Sequence, residues 1–488
     1  MSISGQQFVR HQTRQGPVPR AVRFWQAIGS WPDTFKNVAF NTYLLFYYSQ
    51  LLGLSASMAS LALALALIVD AVTDPLVGSL SDNLTTRLGR RHPLMYLSIA
   101  PLGISLWLVF SPPAGLEGNA LFAWLLATVV AARVSLTFFV VPWNALFYEF
   151  TDDYEERTQI LTWRYAIGWI GGLTFVLAGW TFIFPSTAEF EFGQFNVDAY
   201  KIYGPVLGIV VALAAFITTH KTRKQLPFLY FNQAPESFGL TKAAKDVWRA
   251  LRNRNFMRLF VGILLGAVVT GTTEALNLYM NTYFWGLKPE DLRWFGLAIG
   301  GAVLAFIFVP ILQHRFDKKQ ILFVTILFLW INGMAFVGLR LLDVLPANGS
   351  DFLLWLLVAN VTIRAGVATA MGIIFGSMVA DILDEQQLAT GQRQEGVFSA
   401  ALAFSGKLTS AVGVMVGGLI LDYLVSIPTG TAPGEADHDA VITLGIMDAL
   451  IVPLLLIPVL WLIGGYTLTR ARHAQIRAAL DQGQQQEQ

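Results

Sequence analysis

The most constraining feature of this chain is a series of twelve apolar windows separated by short polar segments. An apolar window of about 20 residues crosses the hydrocarbon core of a bilayer as an α-helix. The windows, numbered spans 1 to 12 in chain order, lie at 34–53, 56–81, 93–111, 120–150, 158–184, 202–220, 256–286, 294–313, 320–343, 352–382, 396–425 and 440–468. The pattern predicts an all-α membrane protein with twelve transmembrane helices.

The low charge content excludes a soluble enzyme. Only 13% of the residues are charged, whereas soluble domains carry about 25%. The absence of cysteine excludes disulfides, thiolate metal sites and a thiol nucleophile. A net charge of +1 argues against a nucleic-acid partner.

A polar, basic stretch divides the spans into two sets of six. We therefore expect an N-terminal six-helix bundle, a cytoplasmic linker, a C-terminal six-helix bundle and a cytoplasmic tail, at residues 1–220, 221–255, 256–470 and 471–488. The tail ends in DQGQQQEQ, which has no apolar face and is predicted to be disordered.

The distribution of basic residues predicts the orientation. Lys and Arg are concentrated in both termini, in the linker and in the loops on the same side of the predicted membrane. The opposite side carries only Lys201, Lys288, Arg293 and Arg340. Since basic loops stay in the cytoplasm, both termini are predicted to be cytoplasmic.

The two halves resemble each other. A shift of 231 residues places Arg133 on Arg364 and Asp153 on Asp384, so that spans 4 and 10 each contain an arginine and end in an acidic loop. We expect two pseudo-symmetric bundles, with the binding site between them near the middle of the membrane.

Two carboxylates interrupt span 2. Asp70 and Asp74 follow the apolar run LALALALI and lie one helical turn apart, about 6 Å, on one face. A charge at bilayer depth costs at least about 2.5–3.5 kcal/mol, and two like charges repel. The pair is therefore expected to face a protein interior or an aqueous cavity and to share a cation or a proton. The alternative is a pair of acids near a helix end that headgroups and water solvate.

The loop after span 2 carries the first family signal. Its sequence GSLSDNLTTRLGRRHP resembles the loop motif of the major facilitator superfamily, in which an acid pairs with a neighbouring helix end or base and the contact changes as the halves rock. The alternative is a plain basic cytoplasmic loop. With two residues of a second loop, described below, the proposed gating residues are Gly78, Asp82, Arg87, Gly89, Arg90, Arg91, Arg393 and Glu395.

The segment DAVTDPLVG resembles the glycoside–pentoside–hexuronide:cation symporter family, of which melibiose permease is a member. The resemblance implies a cation site formed by Asp70, Thr73 and Asp74, with a span 4 hydroxyl five residues before a proline. Thr137 and Pro142 have that spacing in TFFVVPW. Oxygen ligands suit Na⁺ or, with the acids protonated, H⁺. The alternative for Thr137 is a hydrogen bond to its own helix.

The segment DILDEQQLATGQRQEGVFSAALAFSGKL, between spans 10 and 11, also matches the family. The family carries an arginine and a glutamate in this loop and a lysine inside span 11, which Arg393, Glu395 and Lys407 match. Lys407 lies about three turns into an apolar helix, so it is expected to carry the coupling charge and to pair with Asp70 or Asp74. The alternative is a lysine that snorkels to the membrane surface.

Span 5 carries Arg164, where the family has an arginine that contacts substrate. Its planar guanidinium can donate hydrogen bonds to paired hydroxyl groups, a carboxylate or a phosphate. The alternative is an ion pair with Asp153 or Glu155 in the preceding loop.

The sugar half of the family site is not preserved. Melibiose permease has a sugar-binding aspartate where this chain has Val140, and a tryptophan where it has Asn144. The span 1 aspartate is matched by Asp33, one residue out of register. The remaining candidates for the substrate-binding wall, chosen by position, are Trp143, Asn144, Tyr148, Glu274 and Asn277, and Glu274 could instead be an ion-pair partner.

Together these features predict a monomeric, cation-coupled (Na⁺ or H⁺) symporter of a sugar or glycoside-like solute in a bacterial inner membrane. Its expected partners are a small-molecule substrate, a monovalent cation and the lipid bilayer, with no cofactor and no metal beyond the coupling cation. One alternative is a cation-coupled carrier of a lysolipid or another amphiphile. The remote alternative is an intramembrane enzyme that uses the aspartate pair.

Overall fold

The computed structural model describes residues 9–10, 14, 16–151, 153–231, 253–390 and 395–486. Eleven of the described helices are long and apolar enough to cross a membrane. They correspond in order to spans 2 to 12 and have the bounds Ala56–Asn83, His92–Val109, Gly118–Phe150, Glu155–Ile183, Val197–Phe228, Arg254–Phe284, Pro289–Arg315, Lys318–Leu341, Asp351–Leu388, Ser405–Val425 and His438–Gly464. The predicted all-α membrane fold is confirmed.

Span 1 is helical but irregular. An α-helix at Trp31–Ala39 continues into π-helical turns at Phe40–Leu44 and Tyr47–Leu51. A separate amphipathic helix, Arg20–Ile28, precedes it and packs against spans 5 and 6. In the described part of the chain, β-structure is confined to a two-residue antiparallel pairing, Val9–Arg10 with Tyr230–Phe231.

The chain forms two compact units. The first comprises Met1–Phe238 together with Lys288–Arg293, and the second comprises Gly239–Leu287 and Trp294–Gln488. In the first unit, span 4 packs along spans 2 and 3, and span 3 also packs along span 6. In the second unit, span 7 packs along span 11, and span 10 packs along span 8.

Spans 1 and 7, the first span of each half, end in the same way. Each finishes in a π-helical turn, at Tyr47–Leu51 and Met280–Phe284. A glycine in the left-handed region follows each turn, Gly53 at φ 76° and Gly286 at φ 63°. The next amide donates to a carbonyl six residues earlier, at 3.0 and 2.8 Å respectively. This shared ending supports the predicted duplication of the half.

The interiors of the two units differ in chemistry. Aromatic rings fill one end of the first unit, where Tyr47 stacks on Tyr200 with centroids 4.3 Å apart. Aliphatic side chains such as Ile374 and Ile382 dominate the core of the second unit. On the outside, large apolar side chains such as Phe182 and Trp461 are almost fully exposed, as expected for surfaces that face lipid.

The predicted disorder of the C-terminal DQGQQQEQ is wrong as far as Gln486, because a helix runs from Arg470 to Gln486. Its preceding turns anchor it: Ile476 is buried in the core of the second unit, against which Leu480 also packs. His473 Nε2 lies 3.0 Å from the Asp384 carboxylate. These contacts fix the first turns, and glutamine, a good helix former, continues them.

Candidate functional site

The two acids of span 2 meet one hydroxyl of span 4. The Thr137 hydroxyl lies 2.8 Å from Asp70 Oδ1 and 3.2 Å from Asp74 Oδ1, within hydrogen-bonding distance of both. Spans 2 and 4 pack along each other, and the four-residue spacing of the acids turns both toward the same neighbour. Both acids are half-buried, whereas Thr137 is buried. Three oxygen-bearing side chains therefore converge, as the family resemblance implied.

Thr73, the fourth predicted cation ligand, is engaged locally. Its hydroxyl donates to the backbone carbonyl of Asp70 at 3.2 Å, which is a bond within its own helix. The role of Thr73 in cation binding therefore stays a prediction.

Two basic side chains border the acids. Arg133, one turn before Thr137, is 8% exposed, and its Nη1 lies 3.5 Å from Asp70 Oδ2. Lys36 of span 1 is 5% exposed and is close enough to interact electrostatically with both Asp70 and Arg133. The sequence indicates Arg133 only as a marker of duplication, and Lys36 is not among the predicted site residues. The available signal was the basic charge itself, since a lysine or arginine inside an apolar span needs an acid nearby.

Asp33, a predicted substrate residue, pairs within span 1. Its carboxylate lies 3.3 Å from Lys36 Nζ, and its side chain is 46% exposed. Lys36 also donates to Asn37 at 2.5 Å. The substrate role of Asp33 stays a prediction, and the structure adds a buried counter-charge to it.

The residues predicted to contact substrate in spans 4 and 5 form one cluster. The Arg164 guanidinium lies over the Trp143 ring, 3.7 Å from its centroid, and donates to the Asn144 side-chain carbonyl. The same guanidinium is 5.0 Å from the Phe147 ring. Arg164 makes these contacts instead of the alternative ion pair with Asp153 or Glu155. Glu156, in the first turn of span 5, pairs with Arg23.

Trp143 is held rigidly. Its indole N–H donates to the backbone carbonyl of Gln26 at 2.9 Å, and the Gln26 side chain returns a bond to the Trp143 carbonyl at 3.0 Å. A Cβ added at Gly29 would lie 2.1 Å from the indole nitrogen, so this approach requires glycine. The Arg20–Ile28 helix and Gly29 thus fix the orientation of the Trp143 ring on which Arg164 stacks.

The other predicted substrate residues lie elsewhere. Tyr148 is 57% exposed and packs on Phe147. Glu274 and Asn277 are exposed on span 7 in the second unit, where Asn281 donates to Asn277 at 3.0 Å.

Lys407 is half-buried on span 11, also in the second unit. Its predicted pairing with Asp70 or Asp74 stays a prediction.

The predicted gating loop is built around a carboxylate that sequence analysis missed. Glu149, at the end of span 4, is 3% exposed and lies 2.8 Å from Arg90 and 2.9 Å from Arg91. Arg91 also reaches Asp82 at 2.6 Å and the Ser81 hydroxyl at 3.0 Å. The loop after span 2 is therefore tied to span 4 by a buried charge cluster. The acidic end of span 4, YEFTDDYEER, was the available signal for this contact.

The second unit repeats this arrangement with different residues. Asp381, in span 10, lies 2.7 Å from Lys318, which begins span 9 after the loop that follows span 8. His473 of the C-terminal helix lies 3.5 Å from the same carboxylate. In both units, an acid near the end of the fourth helix thus meets a base that follows the second helix.

The backbone conformation at Gly89 of the gating loop favours glycine. Its φ is 73°, and a Cβ there would lie 2.8 Å from a Leu226 methyl group. Gly78 differs, because an added Cβ would be 3.7 Å from Val141, an ordinary contact. Arg87 is exposed. Arg393 and the side chain of Glu395 lie outside the described residues, so their gating role stays a prediction.

The chain resembles known proteins over nearly its whole length. Residues 25–470 match the model of the family described as MFS/sugar transport protein. The uncharacterized symporter sll1374 of Synechocystis sp. is 27% identical over 91% of this chain and 93% of its own. The sodium-dependent lysophosphatidylcholine symporter 1 of Mus musculus is 25% identical over 81% of this chain and 76% of its own.

A solved structure shows the same fold. A bacterial homologue of the human lysosomal transporter Spinster, solved in an inward-facing and unoccupied conformation, superposes with a TM-score of 0.62 at 13% identity. The match covers 95% of this chain and 99% of that one. The resemblance stated from the loop after span 2 is confirmed: the chain belongs to the major facilitator family of sugar transport proteins and is a multi-pass membrane transporter rather than an enzyme.

Proposed function

We propose that the chain is a cation-coupled symporter that moves a sugar or glycoside-like solute across the inner membrane together with Na⁺ or H⁺. The observation that carries the proposal is the convergence of Asp70, Asp74 and the Thr137 hydroxyl. Hard oxygen ligands suit a hard cation, and a bound cation would reduce the repulsion between the two carboxylates. Thr73 is the proposed fourth ligand.

Coupling follows from linkage between the two ligands. A cation that neutralises Asp70 and Asp74 reduces their repulsion and so stabilises the packing of spans 2 and 4 around them. A substrate that prefers the same arrangement then binds more tightly, and the effect is reciprocal. The proposed units of motion are the bundles 1–220 and 256–470, joined by the linker 221–255, with both termini and the tail 471–488 in the cytoplasm. We propose a monomer, as one chain supplies every residue of this cation site.

The proposed substrate contacts centre on Arg164. The guanidinium stacked on Trp143 carries several hydrogen-bond donors in one plane, which suits a sugar ring with paired hydroxyl groups. Asn144 supplies a further amide, and the family description as sugar transport proteins supports this class. The other proposed contacts are Asp33, Trp143, Tyr148, Glu274 and Asn277, with Lys407 as coupling charge.

A lysolipid or another amphiphile is the second candidate substrate. The mouse relative is named a sodium-dependent lysophosphatidylcholine symporter. Val140 offers no hydrogen bond at the position where melibiose permease binds sugar, and a guanidinium pairs with phosphate as readily as with hydroxyl groups.

The test is uptake into proteoliposomes that contain the purified full-length protein, with sugars, glucuronides and lysolipids supplied in turn under an imposed Na⁺ or H⁺ gradient. We expect gradient-driven accumulation of one class, and its loss in Asp74→Asn. Asp198→Asn is the matched control, since Asp198 is an exposed carboxylate that pairs with Lys201. Accumulation by Asp74→Asn equal to that of the wild type would refute the cation site.

A further inference from the structure

Arg133 is a buried arginine whose donors are incompletely used. Its Nη1 lies 3.5 Å from Asp70 Oδ2, well beyond the roughly 2.7–2.9 Å of a strong charge-assisted hydrogen bond. Its Nε is buried and has no hydrogen-bond partner among the residues that the structure describes. Leaving a buried donor unsatisfied is unfavourable. The structure therefore holds a guanidinium near Asp70 without giving it a complete set of contacts.

An aromatic ring of span 1 also lies near the guanidinium. Arg133 Cζ is 5.9 Å from the centroid of the Phe40 ring in span 1. A guanidinium is attracted to an aromatic face within about 6 Å. Arg133 thus lies at the outer limit of contact with both Asp70 and Phe40.

The carboxylate that Arg133 approaches is the one that meets the Thr137 hydroxyl. Thr137 lies against Asp70 Oδ1, and Arg133 approaches Asp70 Oδ2. A cation bound between Asp70, Asp74 and Thr137 would therefore be a positive neighbour of the guanidinium, and like charges in one site repel. Lys36 interacts electrostatically with both Asp70 and Arg133 and is a second positive charge that a bound cation would meet.

We propose that Arg133 is a tethered competitor of the coupling cation. It pairs with Asp70 while the site holds no cation, and it withdraws toward Phe40 when the cation binds. The inference rests on the proposed cation site and adds a residue that sets how tightly that site binds its ion. Arg133 offsets part of the negative charge of Asp70 in the cation-free state, and its displacement makes cation binding weaker.

The test is isothermal titration of the purified full-length protein with NaCl, with choline chloride as the ionic-strength control, at alkaline pH where protons compete least. Arg133→Gln should bind Na⁺ about fivefold or more tightly than the wild type, the lower end of typical coupling between two sites. Arg364→Gln is the matched control, since Arg364 is also an arginine within a span but has Asp448 as its electrostatic neighbour. It should leave the Na⁺ affinity unchanged.

A second variant changes the affinity in the opposite direction. Phe40→Leu removes the aromatic face and leaves Arg133 in place, so Na⁺ should bind more weakly than in the wild type. A purely structural role for Arg133 would instead weaken Na⁺ binding in Arg133→Gln.

The outcomes separate the two proposals. One outcome is that Asp74→Asn abolishes Na⁺ binding while Arg133→Gln binds Na⁺ as tightly as the wild type or more weakly. That outcome overturns the competitor role of Arg133 and keeps the cation site. Na⁺ binding that survives Asp74→Asn refutes the cation site itself. If the wild type responds to protons alone, tryptophan fluorescence is titrated against pH. The pH midpoint of the fluorescence change should then rise in Arg133→Gln, because Asp70 loses a positive neighbour. The other charged neighbours, Lys36, Asp33 and Asp74, are present in both proteins. An equal or lower midpoint overturns the proposal.

Discussion

Arg164 and Trp143, from consecutive transmembrane helices, form a stacked pair in which the guanidinium carbon lies 3.7 Å from the ring centroid. The tryptophan is immobilised by its bonds to Gln26, and the arginine is oriented further by Asn144. A planar cation on a fixed aromatic floor presents its remaining donors in one direction.

This pairing predicts that Arg164→Lys impairs substrate binding. Lysine keeps the charge but cannot stack and donate to Asn144 at once. The apparent KM for uptake should rise by about tenfold or more, since a hydrogen bond to a charged group is worth roughly 1.5–3 kcal/mol. Thr162→Ser, a change to an exposed residue of the same helix, is the control. An unchanged KM in Arg164→Lys would contradict the assignment of this pair to substrate.

Thr137→Val should weaken cation binding while retaining the fold. The two side chains have the same shape, but valine lacks the hydroxyl that meets Asp70 and Asp74. The dissociation constant for the coupling cation, measured by tryptophan fluorescence, should rise by about tenfold. Thr137→Ser should restore it. Equal affinities for the valine and serine variants would show that the hydroxyl is not a ligand.

Glu149→Gln should destabilise the protein. Arg90 and Arg91 both depend on this buried carboxylate, and removing one partner of a buried ion pair costs about 3–5 kcal/mol. A lower midpoint of thermal unfolding in detergent checks the prediction. Glu117→Gln changes an exposed glutamate and should leave that midpoint where it is. Unfolding of Glu149→Gln at the wild-type temperature would mean that the charge cluster is not a stabilising contact.

Gly89→Ala should destabilise the gating loop for two separable reasons. A left-handed backbone costs an L-residue about 1–2 kcal/mol, and the new Cβ would also meet Leu226. Gly115→Ala isolates the first effect, because Gly115 has φ 83° with nothing nearby. The fall in thermal stability should therefore be larger at Gly89 than at Gly115. Equal losses would show that Leu226 moves away without cost.

Melibiose should be a poor ligand even when the cation binds. Val140 cannot accept the hydrogen bond that a galactoside hydroxyl would require, and that hydroxyl would remain buried and unsatisfied. Calorimetry should show no heat with melibiose, while NaCl or a pH step changes the tryptophan fluorescence. Tight, cation-stimulated binding of melibiose would instead mean that Asp33 or Glu274 replaces the missing aspartate.

The sequence alone determined the membrane fold and the meeting of Asp70 with Asp74 and Thr137. Apolar windows predict the helices because a bilayer leaves few alternatives for an unsatisfied backbone. The two acids share a face because their spacing is one helical turn, and the family resemblance supplied the partner on span 4. These features depend on local periodicity and on a motif, both of which are visible in one dimension.

Only the tertiary structure decided which charges meet across helices. Arg90 and Arg91 could have served as plain cytoplasmic charges, and packing of the loop after span 2 against span 4 brings them to Glu149. Arg133 and Lys36 are far from Asp70 in sequence, and only the packing of spans 1, 2 and 4 makes them neighbours. The C-terminal helix is decided in the same way, because Ile476 and His473 find partners in the second unit. Such contacts depend on helix rotation and register, which hydrophobic periodicity leaves undetermined.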